Sequence, residues 1–454
     1  MAIHPLDSLD SVQAAGRLAG LPGFAFLDSA QRHGRLGRYS YLAADPVGLF
    51  EVRDGIAHWQ GQALAGAPLP ALRALLARGQ RADIAPFGGG ALGFIAYEAG
   101  RLFERQPESG ARPVPDMVFG IYDWLIAFDH GTGRAMLATD LYPGAPTDRA
   151  EQIRALLAGP APDLPPLPPL AWAADLPAAA FKARVALVVE AILAGDLFQA
   201  NIAQGFEAPW PAGADPFALH LALRAANPAD FAACLRFGDL AVISSSPERF
   251  VTVAGDRVET RPIKGTIARH GDPLIDAAQA RVLAASVKDR AENVMIVDLL
   301  RNDLSRVCRP HSVAVPDLCA IESYAGLHHM VSTVTGQLTP EADALDLIAA
   351  AFPGGSITGA PKPEAMRLIA ELEGRPRGVY CGSIGWLGFN GDLDLNIAIR
   401  TLTVQAGKAR FQTGGGITAL SDPAREYDET LLKAARIFAA TGLAPRQEDI
   451  DRPY

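Results

Sequence analysis

The sequence lacks the features that mark several classes of protein. It contains no run of about 18 uncharged apolar residues, which argues against a membrane span. Its net charge is −9 and it has no long basic stretch, which argues against nucleic acid as a main partner. The N-terminus has neither a basic start nor an apolar core, so no secretory signal is predicted.

Cysteine is also sparse. Cys234, Cys308, Cys319 and Cys381 lack the spacing of metal ligands and do not suggest a disulfide framework. A reducing compartment is the simplest environment for such a chain, so we expect a cytoplasmic protein.

Lysine is the scarcest basic residue, with 6 copies against 35 of arginine. Arginine does not lose its proton in a protein, whereas a desolvated lysine can become a neutral amine nucleophile. Lys264, in the segment RPIKGT (261–266), is therefore a candidate nucleophile. The ordinary interpretation is a surface ammonium in a loop, and the neighbouring motifs decide between the two.

The chain divides at a segment rich in proline and alanine, residues 158–176, which predicts an extended linker. It separates an N-terminal region, 1–157, from a C-terminal region, 177–445. A length of 454 residues suggests two or three units of ~150 residues each.

Strands and helices alternate without a regular β-α-β rhythm. This favours an α/β protein of the α+β type, with antiparallel strands and helices outside them. Strands with tight turns are predicted over 88–98 and 118–130, and strands over 240–250, 379–389 and 393–401. Helices are predicted over 179–196, 361–373 and 424–442, with one long helix or two over 276–304.

Two pairs of acidic residues have helical spacing: Asp289 with Glu292, and Glu426 with Glu429. Residues at i and i+3 share a helix face, so each pair can direct two carboxylates to one point. Two such helices facing each other would suit Mg²⁺, which prefers oxygen ligands. The pairs could equally be a solvated surface and the acids of a helix first turn, so spacing alone leaves both interpretations open.

Two glycine-rich segments, 353–361 and 413–417, precede helices. Their backbone amides could bind a carboxylate or phosphate, or the glycines could simply form tight turns. Gly354 and Gly359 have the spacing of a nucleotide-binding P-loop, but Ala360 stands where that loop needs lysine. A kinase or ATPase is therefore not predicted.

Further candidates supply acid and anion-binding groups. Glu248 follows an apolar strand, where burial could raise its pKa and make it a general acid. Arg400, at the end of a predicted strand, could hold a carboxylate, and the Tyr380 hydroxyl could donate a hydrogen bond. His328 and His329 are adjacent and point apart, so two hydrogen-bonded histidines are favoured over a metal pair.

Ordered motifs across nearly the whole chain resemble those of the chorismate-utilising enzymes. They are GGGALGFIAYEAGR (88–101), SSSPERF (244–250), RPIKGT (261–266), DRAENVMIVDLLRND (289–303), HHMVST (328–333), PGGSITGAPK (353–362), YCGSIG (380–385), NIAIRT (396–401) and GGGITALSDPAREYDET (414–430). The resemblance implies two packed antiparallel β-sheets with helices outside, shared by both sequence regions.

Two positions indicate the branch of the family. Lys264 lies in a Pro-Ile-Lys-Gly-Thr motif and resembles the lysine that is the covalent nucleophile of the aminodeoxychorismate synthases. Anthranilate synthases have alanine at this position, in the motif Pro-Ile-Ala-Gly-Thr. Gln199 falls where isochorismate and salicylate synthases carry a water-activating lysine. The resemblance therefore implies amination of chorismate by ammonia. Anthranilate synthase component I and a catalytically silent chorismate- or tryptophan-binding subunit are the alternatives, and the intact Glu248, Lys264, Glu292 and Glu429 count against the latter.

The resemblance also implies a set of site residues. Lys264 would attack ring carbon 2 while Glu248 protonates the departing 4-hydroxyl, and ammonia would then attack carbon 4. Glu292 and Glu429 would hold Mg²⁺, with Glu426 and Asp289 supporting through water. Asp289 stands where relatives often have the longer glutamate. Substrate contacts would come from Thr266, His329, Ser356, Tyr380, Arg400, Gly414, Gly415, Gly416 and Lys433.

Partners and regulation follow from the same resemblance. No Cys-centred glutamine amidotransferase motif occurs, so a separate amidotransferase subunit would supply ammonia, and a second enzyme would release pyruvate to give 4-aminobenzoate for folate. In related synthases the N-terminal region holds a tryptophan pocket. Here Ser29, the segment Arg38 to Tyr41 with Tyr39, and Pro228 to Ala232 could form it.

Overall fold

The fold was described from a computed structural model, which covers residues 1–6, 9–31, 36–104, 110, 112–160, 162–324 and 326–443. The strands in chain order are β1 (Ala2–Leu6), β2 (Ala25–Asp28), β3 (Tyr39–Ala43), β4 (Gly48–Arg53), β5 (Ile56–Trp59), β6 (Gln62–Ala63), β7 (Gly90–Ile95), β8 (Met117–Ile121), β9 (Leu125–Asp129), β10 (Arg134–Thr139), β11 (Leu170–Ala171), β12 (Ala173–Ala174), β13 (Gln199–Pro209), β14 (Phe231–Phe237), β15 (Leu240–Ser246), β16 (Arg249–Ala254), β17 (Arg257–Thr260), β18 (Ile263–Ala268), β19 (Ala314–Ser323), β20 (Leu327–Gln337), β21 (Gly359–Ala360), β22 (Ser383–Gly388), β23 (Leu393–Asn396), β24 (Thr401–Gln405), β25 (Lys408–Ile417) and β26 (Gly442–Leu443). The α-helices are α1 (Ser11–Leu18), α2 (Pro68–Leu76), α3 (Arg149–Ala158), α4 (Ala178–Ala194), α5 (Pro216–Ala226), α6 (Pro273–Ala285), α7 (Val287–Ser305), α8 (Ala344–Ala351), α9 (Lys362–Glu373) and α10 (Pro423–Thr441).

Two large sheets of 12 strands each form the centre of the protein. The first has the order β1-β10-β9-β3-β2-β14-β15-β24-β25-β13-β12, with β21 also paired to β13. The second has the order β18-β20-β17-β16-β23-β22-β7-β8-β4-β5-β6, with β19 also paired to β20. The pairings within both sheets are antiparallel, which confirms the predicted fold class.

Both sheets combine strands from the N-terminal and C-terminal regions. In the first sheet β2 pairs with β14, and in the second β7 pairs with β22. The proline-rich segment thus connects two parts of one architecture, as the resemblance implied. Within it, residues 162–169 lie outside helices and strands, and the short strands β11 and β12 follow. The boundaries 1–157 and 177–445 stay a prediction, and residues 444 and 445 lie outside the described range.

The main core lies between the facing sheets and beneath the helices. Phe94 of β7 and Phe237 of β14 meet across the two sheets, with ring centroids 6.5 Å apart. On the outer face of the first sheet, Phe438 of α10 packs edge-on against Phe206 and Phe411. Burying side chains of this size stabilises the fold by roughly 1.5–3 kcal/mol each.

The predicted helices are confirmed, and their ends have clear causes. Helix α4 ends at Gly195, which adopts the left-handed conformation (φ 90°) that favours glycine. The segment 276–304 forms two helices, because Ser286 caps α7 by accepting a hydrogen bond from the Asp289 N–H at 3.3 Å. This cap orients the first turn of α7, where the first acidic pair lies.

The strands predicted over 240–250 and 393–401 are each two strands in the structure, and this part of the prediction was wrong, whereas β8 and β9 agree with the strands and turns predicted over 118–130. The segments 118–130, 240–250 and 393–401 leave one sheet and enter the other part-way along. Their apolar runs continue through the crossing because both sides of it are buried between the sheets. The strand predicted over 379–389 is shorter and begins at Ser383.

Candidate active site

Two crossings between the sheets lie side by side and carry Glu248 and Arg400. The Ile397 N–H donates to the Glu248 carbonyl (2.9 Å), and the Ser245 N–H donates to the Arg400 carbonyl (3.1 Å). Arg400 therefore does not end a strand as predicted. It lies in the connection between β23 and β24 with a φ of 51°. The crossings fix both side chains relative to the two sheets.

Glu248 is a buried acid, with 6 % of its surface exposed. Burial raises the pKa of its carboxyl above the ordinary value, although the Lys264 charge and hydrogen bonds from the Ser356 side chain and the Ile263 backbone oppose the shift. The carboxyl is thus held closer to its protonated form than a surface glutamate. A carboxyl in this state can donate a proton to a leaving group.

Lys264 lies on β18, in electrostatic contact with Glu248 and next to the glycine-rich segment 353–361. Its Nζ donates a hydrogen bond to the Ser356 carbonyl (3.2 Å). Desolvation lowers the pKa of Lys264, and the carboxylates of Glu292 and Glu248 only partly offset this. A lowered pKa increases the fraction of neutral amine, which is the nucleophilic form.

The two acidic pairs face each other from α7 and α10, and the α10 pair lies beside Gly415 of β25. A Cβ atom on Gly415 would lie 3.3 Å from Glu426 Oε2 and 3.7 Å from Glu429 Oε1. Asp289 packs against Gly265, where a Cβ atom would lie 2.9 Å from the Asp289 Cγ. Gly415 thus leaves room beside the Glu426 and Glu429 carboxylates, and the Asp289 side chain lies against Gly265, the residue that follows Lys264.

Lysine side chains neutralise part of this acidic cluster. Lys288 bridges the two helices, with its Nζ 3.5 Å from Glu426 Oε1 and 3.9 Å from Glu292 Oε1. The Lys433 Nζ lies 2.7 Å from Glu429 Oε1 and donates to the Gly414 carbonyl at 2.9 Å. With Lys264, these are three of the chain's 6 lysines. Lys288 was not predicted as a site residue, although the scarcity of lysine in the sequence could have indicated it.

The donor chemistry of the cluster fits Mg²⁺. Within the described residues no three His, Cys, Asp or Glu side chains are grouped closely enough to hold a metal ion as they stand. Glu292 Oε1 nevertheless is buried without a hydrogen-bond partner, and burial raises the pKa of Glu292. Glu429 has a lowered pKa: burial would raise it, but the charge and hydrogen bond of Lys433 outweigh that effect. A cation between α7 and α10 would satisfy the orphaned oxygen and replace the lysine contacts.

The glycine-rich segments differ from the predicted loops. Gly414, Gly415 and Gly416 lie inside β25, paired with Ala203, Ile202 and Asn201 of β13. On its other side, β25 pairs with β24 only as far as Phe411. The edge of Gly414 to Gly416 that faces away from β13 therefore lies beyond this pairing. Glycine leaves this edge accessible at the site.

The segment 353–361 is held against β13 instead of forming a free turn. It contains a 3₁₀ turn at Gly355–Ile357, and β21 pairs with the first residues of β13. A Cβ atom on Gly359 would lie 2.0 Å from the Gln199 carbonyl, so only glycine fits there.

The remaining predicted residues surround the same region. Thr266 Oγ1 and His329 Nδ1 share a 2.8 Å hydrogen bond, while His328 Nε2 contacts Asp276 at 3.0 Å. The adjacent histidines therefore point apart, each with its own partner. Tyr380 is buried, and the Arg377 guanidinium lies 5.9 Å from its ring centre.

Arg400 is a desolvated cation suited to an anion. Its Nη1 donates to Asn227 Oδ1 (3.3 Å), and no carboxylate of the described residues forms a salt bridge with it. Burial lowers the pKa of Arg400, and the nearby Arg436 charge adds to this effect. A carboxylate group would balance these two positive charges.

A buried network behind the site was not predicted. The Arg377 guanidinium forms a bidentate ion pair with Glu373 and donates to the Ile357 carbonyl (3.0 Å) and the Asn201 carbonyl (2.7 Å). It thereby connects α9 with the segment that carries Ser356 and with β13. Glu373 is four positions from Arg377, but Ile357 and Asn201 lie 20 and 176 positions away, so no local pattern indicates the whole network.

Glu98 supports the same network and makes a pH dependence of stability testable. Its carboxylate accepts hydrogen bonds from the Arg377 N–H (2.6 Å) and the Gly378 N–H (3.0 Å), and burial raises its pKa to about 7. The folded state therefore holds a proton that the unfolded state releases between about pH 4.5 and 7.

We expect Glu98 to lower the free energy of unfolding by about 3 kcal/mol as pH rises through this window. Chemical denaturation at pH 5 and pH 8 measures it. In Glu98→Met, which cannot titrate, the difference between the two pH values should shrink by that amount. An unchanged difference would contradict the assignment.

A separate cavity of about 310 Å³ lies between the N-terminal strands and the second sheet. Its lining includes the predicted residues Ser29, Arg38 and Tyr39, and the segment Asp230 to Ala232. Pro228 does not line this cavity, and its place in a tryptophan pocket stays a prediction. Neither Glu248 nor Lys264 lines this cavity.

Comparison with known proteins shows the family to which the chain belongs. Residues 24–439 match the family described as chorismate binding enzyme. The chain is 40 % identical to aminodeoxychorismate synthase component 1 of Escherichia coli (strain K12), over 93 % of this chain and 94 % of that protein. It is also 40 % identical to anthranilate synthase component 1 of Streptomyces coelicolor, over 96 % of this chain and 87 % of that protein.

A solved structure shows the same fold. Anthranilate synthase component I from Streptococcus pneumoniae superposes with a TM-score of 0.81 at 35 % identity, covering 90 % of this chain and 93 % of that one. No helix among the described residues is both long and apolar enough to cross a membrane. By its family match, its fold and its relatives, the chain belongs to the chorismate-binding enzymes.

Proposed function

We propose that the protein is an aminodeoxychorismate synthase component I, which converts chorismate and ammonia to 4-amino-4-deoxychorismate for 4-aminobenzoate and folate synthesis in the cytoplasm. The observation that carries the proposal is the pair formed by Glu248 and Lys264. Burial raises the pKa of the acid and lowers that of the amine, so each is shifted toward its uncharged form, and both groups contact Ser356. An amine nucleophile and a proton donor at one site suit displacement of a hydroxyl.

The proposed reaction has two substitutions. The Lys264 Nζ forms a bond to ring carbon 2, both ring double bonds shift by one position, and the 4-hydroxyl leaves as water with the proton from Glu248. Ammonia then forms a bond to carbon 4, both double bonds shift back, and the bond from carbon 2 to Nζ breaks to release neutral Lys264. The surplus proton of the new ammonium group returns to Glu248.

Binding of the two carboxylates of chorismate is divided between two charged regions. Glu292 and Glu429 would hold Mg²⁺, with Glu426 and Asp289 nearby, and the ion would supply positive charge for the ring carboxylate. Arg400, with Tyr380 and the edge of Gly414 to Gly416, would bind the enolpyruvyl carboxylate. Thr266, His329, Ser356 and Lys433 would line the space between them.

The alternative with specific support is anthranilate synthase component I, because a relative of that name is 40 % identical over most of the chain. We expect chorismate, ammonium and Mg²⁺ to yield 4-amino-4-deoxychorismate, which retains the enolpyruvyl group. Glutamine should replace ammonium only when a glutamine amidotransferase subunit is added. Chromatography with mass spectrometry identifies the product, and fluorescence reports anthranilate.

Accumulation of anthranilate or isochorismate would refute the assignment. Binding of chorismate without turnover would favour a silent subunit, which a ligand titration run beside the assay would reveal. Turnover of glutamine by the chain alone would contradict the need for a partner.

The separate cavity is proposed as an amino-acid site. Its lining includes Arg38, which is paired with Asp129, and Asp230, whose pKa burial raises to about 7, and Tyr41, Phe231 and Trp386 provide apolar surface. Tryptophan fits this combination, as the resemblance suggested.

A further inference from the structure

Lys362 is a buried lysine to which the proposed reaction gives no task. It is the first residue of α9, and only 6 % of its surface is exposed. Its Nζ donates hydrogen bonds to Asp303 Oδ2 and to the Ala351 carbonyl, both at 2.8 Å. A buried ion pair adds little net stability, because desolvating both charges costs about as much as their attraction gains. The geometry that the pair imposes is therefore the property to explain.

The contacts of Lys362 join the two ends of the glycine-rich segment. Ala351 is the last residue of α8 and lies before the segment, whereas Lys362 follows it directly. The hydrogen bond between them closes residues 352–361 into a loop. Inside this loop, Thr358 Oγ1 donates to the Gly354 carbonyl at 2.9 Å. The loop is thus held at its ends and in its middle.

The closed loop reaches both proposed reacting groups through Ser356, which lies in the 3₁₀ turn Gly355–Ile357. The Ser356 carbonyl accepts the hydrogen bond from Lys264 Nζ (3.2 Å), and the Ser356 side chain is hydrogen-bonded to the Glu248 carboxyl. A displacement of the loop would therefore change the surroundings of the amine and of the acid at the same time.

Asp303 connects the loop to α7. Asp303 follows Glu292 by 11 positions (303 − 292), close to three helical turns, so both side chains lie on one face of α7, about 16 Å apart along its axis. Leu299 of the same helix packs against the loop, since a Cβ atom on Gly355 would lie 2.7 Å from Leu299 Cδ2. The ion pair thus fixes the loop against the helix that carries Glu292.

We propose that Lys362 is a positioning residue for the attack of Lys264 on chorismate, because it holds Ser356 in place beside Lys264 and Glu248. This inference rests on the proposed function. In the step concerned, the Lys264 Nζ forms a bond to ring carbon 2, both ring double bonds shift by one position, and the 4-hydroxyl leaves as water with the proton from Glu248. Lys362 acts on this step only through the loop.

The test follows the Lys264 adduct of the full chain by intact-protein mass spectrometry, with chorismate and Mg²⁺ and without ammonium. In Lys362→Met we expect the maximal rate of adduct formation to fall about 10- to 100-fold, because misplacing reacting groups by about 1 Å has an effect of this size. The chorismate concentration that gives half this rate should change less than about threefold, since Arg400 is held by Asn227. Lys408→Met, which removes an exposed lysine paired with Glu207, is the matched control and should change neither value.

Two further variants distinguish positioning from support of the fold. The double variant Lys362→Met, Asp303→Leu leaves no buried charge unpaired, so it should regain the thermal stability lost in Lys362→Met but not the adduct rate. Ser356→Ala should slow adduct formation about fivefold in otherwise wild-type protein, the effect of one lost hydrogen bond. In Lys362→Met the same change should slow it less than about twofold, because the contact with Glu248 is already displaced.

Each other result overturns the inference. A wild-type adduct rate in the double variant, or independent effects of Lys362→Met and Ser356→Ala, would show that Lys362 only stabilises the fold. The same conclusion would follow if neither Lys362 variant folded. A loss seen only as weaker binding of chorismate would also contradict the proposal. Failure of the proposed function is seen separately, because the wild type would then form no Lys264 adduct, or a product other than 4-amino-4-deoxychorismate.

Discussion

Lys264→Ala should lose on the order of 10³-fold in the rate of chorismate amination and should form no covalent adduct. The expectation follows from the geometry, since Nζ is held by the Ser356 carbonyl beside Glu248, and the variant removes the only atom that bonds to ring carbon 2 in the proposed reaction. Intact-protein mass spectrometry after incubation with chorismate and Mg²⁺, without ammonium, measures the adduct. The wild type should gain the mass of chorismate less one water.

Two further variants make the result specific. Lys264→Arg keeps the positive charge but should not recover activity, because a guanidinium stays protonated and cannot attack. Lys408→Ala, in which an exposed lysine paired with Glu207 is removed, should keep both the activity and the adduct. An adduct that survives in Lys264→Ala would disprove the role of this residue, and so would a Lys264→Arg variant with wild-type activity.

The parts of the site that sequence alone predicted are those set by local spacing. Asp289 with Glu292, and Glu426 with Glu429, each share a helix face because residues three apart always do in a helix. The structure places Glu426 and Glu429 beside Gly415, and Lys288 of α7 contacts both Glu292 and Glu426. Their mutual approach is set by the packing of α7 and α10 on different sheets, which no local pattern reports.

The parts that sequence could not predict depend on contacts between distant segments. The crossing that carries Arg400 is hidden in a continuous apolar run, because residues on both sides of it are buried. A charged residue next to Asp289, such as Lys288, is as typical of a solvent-exposed helix face as of a functional site. Only the structure shows that it bridges to Glu426, 138 positions away in the chain.

The second large effect is expected from Arg377→Met, which should reduce the free energy of unfolding by about 3–5 kcal/mol. Arg377 and Glu373 each have 1 % of their side chain exposed, and they form a bidentate pair with contacts of 2.7 and 2.9 Å. Removing the guanidinium leaves the Glu373 carboxylate buried without its counter-ion. Urea denaturation monitored by circular dichroism measures the loss. Arg367 lies on the exposed face of α9, the helix that ends at Glu373. Arg367→Met breaks only surface ion pairs and should reduce the free energy of unfolding by less than about 1 kcal/mol.

The double variant Arg377→Met, Glu373→Leu distinguishes support of the fold from support of the site. Replacing both charges with apolar groups should recover much of the stability, because no buried charge is left unpaired. It should not recover activity. The Ile357 and Asn201 carbonyls would still lack the donors that hold the Ser356 segment and β13 in place around Lys264. If the double variant were as active as the wild type, Arg377 would stabilise the fold without positioning the reacting groups.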